Sequence, residues 1–159
     1  MKEQADGACD YLKKSDFYNK KKEINLVGQS QGGLMARSVL ENCDITPTMK
    51  FRNLLTIGTP NMGVSEIPKA GCTKLRMTKE GGALCASSSS FFLKIVYTDF
   101  MQNKLATPGY VRDSRHMDEY RAKSSFLASL NNERDDKDIS EKHRSRITGL
   151  NAAMFVQFE

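Results

Sequence analysis

The sequence predicts an α/β protein with a parallel sheet at its core. Two short apolar runs, residues 24–27 and 53–57, each end at a glycine, which is typical of buried parallel strands. A helical pattern at residues 34–40 lies between them. Strand, helix and strand in this order predict one right-handed crossover unit. A later apolar run, residues 152–158, is predicted to be a further buried strand.

The rest of the chain predicts helices and one insertion. Three further helices are predicted at residues 5–13, 124–130 and 140–150. Residues 68–115 differ from this pattern, because they contain two cysteines, a Gly81-Gly82 break and one amphipathic segment at residues 91–101. We expect this stretch to be an insertion over a sheet edge within a single domain, residues 1–159.

The composition indicates a soluble globular protein of about one domain, with 159 residues, 39% hydrophobic and 27% charged. No stretch approaches the roughly 18–20 apolar residues of a membrane helix, and residues 1–14 contain no apolar core of a signal peptide. The formal net charge is +5, but the basic clusters at residues 20–22 and 141–147 lack interleaved aromatic side chains. The sequence therefore predicts no nucleic-acid partner and no membrane span.

Four cysteines stand at positions 9, 43, 72 and 85. None belongs to a C-x-x-C pair, so no metal site is predicted. An even number at wide spacing suits disulfides in an oxidising compartment, with three possible connectivities. Four reduced, buried cysteines are the alternative.

A glycine-rich motif follows the first predicted strand. Gly28, Ser30 and Gly32 form a G-x-S-x-G pattern, and a third glycine, Gly33, comes next. In such a motif a strained turn between strand and helix raises the serine hydroxyl, and the flanking glycines let the backbones approach closely. The amide of Gln31 would then face a developing oxyanion at the positive end of the helix. The same residues also fit a tight turn without a catalytic role.

Two segments around this motif resemble the palmitoyl-protein thioesterases, an α/β-hydrolase family of the lysosome. They are NLVGQSQGGLMAR at residues 25–37 and RNLLTIGTPNMGV at residues 52–64. Residues 63–72, and YRAKSSFLASLNNER at residues 120–134, are also similar to family segments. The resemblance implies a partial α/β-hydrolase fold, in which a helical cap occupies the predicted insertion.

The resemblance also implies an activity. Ser30 would attack the thioester that joins a fatty acyl group, such as palmitoyl, to a protein cysteine, and the Gln31 amide would bind the oxyanion. The substrates would be S-acylated proteins or peptides and fatty-acyl thioesters, and no cofactor would be required. Apolar residues of the cap, such as Phe91, Phe92 and Leu105, would line an acyl groove.

The resemblance further implies two disulfides, Cys9–Cys43 and Cys72–Cys85, and a location in the lysosome or the secretory pathway. The family commonly carries an N-x-S glycosylation sequon where this sequence has Arg121-Ala122-Lys123-Ser124. The chain contains no N-x-[ST] sequon at any position, which leaves delivery through a glycan without a visible signal.

A serine nucleophile needs a histidine base and a carboxylate that orients it. The resemblance places both after the strand at residues 152–158. The two histidines of this chain, His116 and His143, lie in polar surroundings and are predicted to be surface residues. Asp99 and Asp113 match no triad position. We therefore expect an internal fragment that is inactive alone.

Two other functions stay open at this stage. IGTPNMG, residues 57–63, also resembles the strand end of lipases and carboxylesterases, so an oxyester hydrolase is one alternative. A catalytically dead protein, which keeps the serine turn without the two triad partners, is the other.

Overall fold

The computed structural model describes residues 1–16, 20, 22–45, 49–65 and 95–158. The chain forms two compact units. The first comprises Met1–Asn61 and Ser129–Glu159, and the second comprises Met62–Ala128. The predicted insertion at residues 68–115 lies in the second unit, and its residues 68–94 are outside the described residues.

A parallel sheet forms the centre of the first unit. Its three strands, in spatial order, are β1 (Glu23–Gln29), β2 (Lys50–Ile57) and β3 (Ala152–Val156). Both strand pairs are parallel, which confirms the predicted α/β class. The register between β1 and β2 shifts between Ile24 and Asn25.

Three helices of the first unit pack together beside the sheet. They are α1 (Lys2–Lys14), α2 (Gln31–Asn42) and α6 (Lys137–Thr148). Helix α2 packs on β1 and β2, and both α1 and α6 pack against α2. Buried apolar side chains of the helices and the sheet form one core: Leu12, Ile24, Ala36, Val39, Leu40, Cys43, Met49, Phe51 and Leu54. Leu150 and Ile147 pack against this core from the C-terminal side of α6.

The opposite face of the sheet is exposed. Val27 of β1 is 66% exposed and Met154 of β3 is 61% exposed, and all five residues of β3 are exposed. The prediction of a buried strand is therefore wrong for β3, and for β1 it holds on one face only. Side chains alternate between the two faces of a strand, and within the described ranges no element covers this second face.

A disulfide joins Cys9 of α1 to Cys43 at the end of α2, with the two Cα atoms 5.5 Å apart. This is the pairing that the resemblance implies. The bond closes a sequence separation of 34 residues, for which the chain-entropy relation gives about 4 kcal/mol of stabilisation. The other implied pair, Cys72–Cys85, lies outside the described residues.

The second unit contains short helices. They are α3 (Asp99–Lys104), a 3₁₀ turn (Thr107–Tyr110), α4 (Met117–Lys123) and the start of α5 (Leu127–Leu130), whose last two residues belong to the first unit. Val64 and Val111 form an isolated parallel bridge. The side chain of Gln102 donates to the carbonyl oxygens of Val96 and Pro108, at 2.8 and 2.9 Å.

All four predicted helices begin at other residues in the structure, and two of these differences have a visible cause. Residues 124–130 are helical only from Leu127, because Ser124 is extended at the end of α4 and the Ser125 amide donates to Gln102 Oε1 at 2.8 Å. Helix α6 begins at Lys137 rather than at residue 140. Its cap is Asp136, whose carboxylate accepts from the Ile139 amide at 3.0 Å.

Candidate active site

Ser30 lies in the turn between β1 and α2, as the N-cap residue of α2. Its φ of 51° and ψ of −130° place a non-glycine residue at positive φ, a strained conformation that costs about 1–3 kcal/mol. Two backbone hydrogen bonds hold it: the Ser30 amide donates to Ile57 O at 2.8 Å, and the Gly33 amide donates to Ser30 O at 3.0 Å. Ser30 itself is exposed. The turn therefore presents a strained serine to solvent.

Close backbone approach explains two of the glycines. A Cβ atom on Gly28 would meet the backbone of Gly32 and Gly33, so β1 and the start of α2 touch here. A Cβ on Gly33 would meet the side chain of Thr59. A Cβ on Gly32 would meet no described atom within 4 Å. Of the two glycines that flank Ser30, only Gly28 lies in a close approach to described atoms.

Gln31 is the first residue of α2. The first amides of a helix have no intrahelical carbonyl to bind, and the helix dipole adds a partial positive charge at this end. The Gln31 amide and the Ser30 hydroxyl are thus neighbours at a point that favours negative charge.

A buried arginine ties α2 to two other segments. Arg37, 7% exposed, donates through Nε to Glu41 Oε1 at 3.2 Å. Its Nη1 donates to Asn61 Oδ1 and Asn131 Oδ1 at 3.3 and 3.1 Å, and its Nη2 donates to Leu130 O at 3.2 Å. Sequence reasoning missed this network. The only signal in the sequence was an Arg and a Glu four residues apart within α2.

Glu41 and His143 are both buried, at 0% and 1% exposure. Burial raises the pKa of Glu41 to about 7, although Arg37 acts in the opposite direction. Burial also lowers the pKa of His143, and the positive charges of Lys142 and Arg37 add to this effect. The prediction that His143 is a surface residue is wrong. Its polar sequence neighbours hid a side chain that α6 directs toward α2.

The second histidine belongs to a cluster in the second unit. The His116 side chain is 51% exposed, as predicted for a surface residue, and its Nδ1 lies 2.8 Å from Asp113 Oδ2. Asp113 is buried and also accepts from the Arg115 amide, Nε and Nη2, at 3.1, 3.0 and 3.3 Å. Burial raises the pKa of Asp113, but these hydrogen bonds outweigh it and bring the pKa to about 2.

The remaining predicted site residues lie in the second unit or outside the described residues. Asp99 is exposed at the first position of α3, and Leu105 is half-buried directly after that helix. Phe91 and Phe92 lie outside the described residues. In the described ranges, no group of three or more His, Cys, Asp or Glu side chains is arranged to hold a metal ion. No described helix has both the length and the apolar content to span a membrane.

The whole chain, residues 1–159, matches the family described as palmitoyl protein thioesterase. The chain belongs to this family. The match confirms the resemblance inferred from the serine motif and the segments that follow it.

Members of the palmitoyl protein thioesterase family from several organisms are similar to the chain. It is 29% identical over 134 residues to the palmitoyl-protein thioesterase-dolichyl pyrophosphate phosphatase fusion 1 of Schizosaccharomyces pombe, covering 84% of this chain and 20% of that protein. It is 26% identical over 142 residues to palmitoyl-protein thioesterase 1 of Caenorhabditis elegans, covering 86% and 42%. Over 124 residues it is 31% identical to the lysosomal thioesterase PPT2-B of Xenopus laevis, covering 78% and 38%. The chain thus spans less than half the length of these relatives.

Proposed function

We propose that Ser30 is the nucleophile of a serine thioesterase that removes palmitoyl and related fatty acyl groups from S-acylated cysteines of proteins. The observation that carries the proposal is the exposed serine at positive φ between a parallel strand and a helix, in a chain of the palmitoyl protein thioesterase family. A strained strand-to-helix turn is the setting that nucleophilic serines of G-x-S-x-G hydrolases require.

The chemistry proceeds in two steps. Ser30 Oγ attacks the thioester carbonyl carbon, its proton passes to a histidine base, and the Gln31 amide donates to the oxyanion of the tetrahedral intermediate. The C–S bond breaks, and the cysteine sulfur leaves with the proton from the histidine. Water then attacks the acyl-serine ester and gives up a proton to the same base. The fatty acid is released and the serine is restored.

The base and the carboxylate of this reaction are proposed to come from residues beyond these 159. Both ring nitrogens of buried His143 face amide oxygens, at 3.0 Å each, so its ring is engaged within the α2–α6 contact. His116 is paired with Asp113 inside the second unit. The 159-residue chain alone is therefore proposed to be inactive, whereas the complete protein is active.

The acyl chain is proposed to bind along apolar side chains of the cap region, including Phe91, Phe92 and Leu105. The site of action is proposed to be the lysosome or the secretory pathway. One relative bears the name lysosomal thioesterase, and the Cys9–Cys43 disulfide suits an oxidising compartment.

The test is hydrolysis of a palmitoylated cysteine peptide by the complete protein. Ser30→Ala is expected to reduce kcat/KM by about four orders of magnitude or more, as removal of a triad serine does. Ser145→Ala, which changes an exposed serine on α6, is the matched control and should leave the rate unchanged. In the unmodified protein, acid quenching should trap a palmitoyl ester on Ser30. An active Ser30→Ala protein, or an acyl group on another residue, would overturn the proposal.

Matched substrates separate the thioesterase from the alternatives. A palmitoyl thioester and the corresponding oxyester should be hydrolysed with a clear preference for the thioester. Equal rates or an oxyester preference would assign a lipase or carboxylesterase activity instead. If the complete protein cleaves neither substrate, the catalytically dead alternative holds.

A further inference from the structure

One carboxyl and one imidazole meet at the contact between α2 and α6. Glu41 Oε2 lies 3.4 Å from His143 Nδ1, and among the described residues Oε2 is a buried atom without a hydrogen-bond partner. The other carboxylate oxygen, Oε1, accepts from Arg37 Nε. The proposed thioesterase chemistry uses neither Glu41 nor His143, so their burial has another consequence.

The neighbours of His143 decide where its protons lie. Asn42 Nδ2 donates to Ser38 O at 3.1 Å, so Asn42 Oδ1 is an acceptor and His143 Nε2, 3.0 Å away, is its donor. His143 Nδ1 lies 3.0 Å from Asn132 Oδ1, besides its approach to Glu41 Oε2. If neither His143 Nδ1 nor Glu41 Oε2 carried a proton, two lone pairs would face each other across this approach. One proton therefore resides on either His143 Nδ1 or Glu41 Oε2.

We propose that Glu41 and His143 hold a single titratable proton between them, and that this sharing keeps the stability of the α2–α6 contact constant across the mildly acidic pH range. Either location of the proton leaves the pair with the same total charge. Helix α2 begins next to Ser30, so the stability of its contact with α6 would then not change when the pH falls.

The charges around the pair are few. Arg37 faces Glu41 from the same helix, and both Lys142 of α6 and Asp136 at the cap of α6 act on His143. Lys142 also pairs with Asp44 after α2, at 3.1 Å. The positive charges of Lys13 of α1 and Arg146 of α6 also lower the pKa of Asp44. On the strands, Glu23 forms exposed ion pairs with Lys50 and Arg52.

Each member of the pair would make stability depend on pH if it stood alone. The pKa of Glu41 is raised from 4.5 to about 7, so its contribution is full below pH 4.5 and is lost as pH rises through about 7. The pKa of His143 is lowered from 6.5. Its contribution is therefore full above pH 6.5 and is lost as pH falls through the lowered value.

When both groups are present, the opposite pH dependences of their contributions to stability cancel. Between pH 4.5 and 6.5 the unfolded chain carries its proton on the histidine with the glutamate ionised, while the folded pair also carries one. Folding then takes up no proton from this pair, and stability has no slope from it. The other described carboxyls with shifted pKa values, Glu23, Asp44 and Asp113, are lowered from 4.5, 3.8 and 3.8, so they change below this window.

The test compares two single variants with the double variant in the complete protein. Unfolding constants of each variant are measured by denaturant between pH 4.5 and 6.5 and divided by the wild-type value at the same pH. This ratio removes the pH dependence that all other titratable groups contribute equally to both proteins. For Glu41→Gln the ratio should rise as pH falls, and for His143→Gln it should rise as pH increases, each by up to about tenfold per pH unit. The double variant should be flat.

Slopes of opposite sign in the single variants show that the two groups offset each other, and common apparent pKa values for both groups in the wild type show that they share the proton. The proposal would be overturned if the ratio did not depend on pH for either single variant, or if it changed in the same direction for both. If a variant does not fold, the wild type supplies the measurement by NMR. The His143 ring nitrogens and the Glu41 carboxyl carbon should titrate together with common apparent pKa values. Independent titration of the two groups would refute the sharing.

Discussion

The two units each contain a carboxylate, an arginine and a histidine in contact, yet the two carboxylates have opposite pKa shifts. In the first unit, the pKa of Glu41 rises to about 7. In the second unit, the pKa of Asp113 falls to about 2. Both carboxylates have little exposed surface, 0% and 1%, but the partners of Glu41 are themselves buried whereas those of Asp113 reach water. Burial therefore dominates the pKa of Glu41 and not that of Asp113.

Hydrogen bonds to the charged form explain why the pKa of Asp113 is low although its carboxylate is buried. Asp113 accepts from one backbone amide and from three side-chain nitrogens of Arg115 and His116, and these two side chains reach water. Among the described residues, Glu41 accepts a hydrogen bond only from Arg37, and Arg37 also donates to Asn61, Asn131 and Leu130 O. Ionisation of a buried carboxyl is favoured when several donors face it. A carboxyl group, an arginine and a histidine therefore give a fixed negative charge at Asp113 in the second unit and a protonatable carboxyl at Glu41 in the first.

The largest effect is expected from removing the arginine of the buried cluster. Arg37→Ala leaves Glu41, Asn131 and Leu130 O without their donor in the interior, and should lower the free energy of unfolding by about 3–5 kcal/mol. Denaturant unfolding at pH 7 measures this. Arg121→Ala, which removes an exposed partner of Asp118, is the control and should cost less than about 1 kcal/mol.

The second largest effect on stability is expected from removing the charge of Asp113. Asp113→Asn removes the acceptor of several charge-assisted bonds and should destabilise the protein by about 2 kcal/mol at pH 7. The pKa of Asp113 is lowered from 3.8 to about 2, so its contribution is full above pH 3.8 and is lost as pH falls through about 2. The difference between variant and wild type should shrink over that interval in acid unfolding. A constant difference would contradict the ionised state of Asp113.

The corresponding change at the first cluster should be milder. Glu41→Gln keeps an oxygen for Arg37 and offers an N–H toward His143, in place of the proton that Glu41 and His143 share. We expect a cost below about 1 kcal/mol at pH 7, measured by the same unfolding assay. A cost equal to that of Asp113→Asn would show that Glu41 is held as a charge, and the contrast between the two clusters would fail.

The smallest effect concerns the exposed histidine. His116→Gln should cost about 0.5 kcal/mol, because its side chain is half exposed and Arg115 still faces Asp113. Thermal unfolding at pH 7, compared with His143→Gln, measures the difference between an exposed and a buried imidazole. Equal losses of stability for the two variants would remove the distinction.

The sequence could predict what depends on neighbours along the chain. The parallel strands, α2 between them and the turn at Ser30 follow from apolar runs and glycine positions, and the structure places them where they were expected. The burial of His143 could not be predicted, because its partner Asn42 is 101 residues away. The polar neighbours of His143 indicated a surface. The break before Leu127 had the same cause, since Gln102 binds Ser125 across 23 residues.

The exposure of β3 shows a related limit. An apolar run indicates that a strand can be buried, but burial requires a second layer, and the run does not say which segment provides it. Ser30 is the opposite case. Its conformation depends on contacts within a few residues and on Ile57 of the adjacent strand, so the motif alone was sufficient to locate the turn.

The partners of α2 have a consequence for how the protein is made. Arg146 donates to Cys43 O at 3.1 Å across 103 residues, and His143 reaches Asn42 across 101. At about 5–20 residues per second, a ribosome needs roughly 5–20 s to synthesise the segment between them. During that interval the end of α2 emerges with Arg37 and Glu41 lacking their later partners. The nascent chain should therefore be a client of chaperones until α6 leaves the exit tunnel.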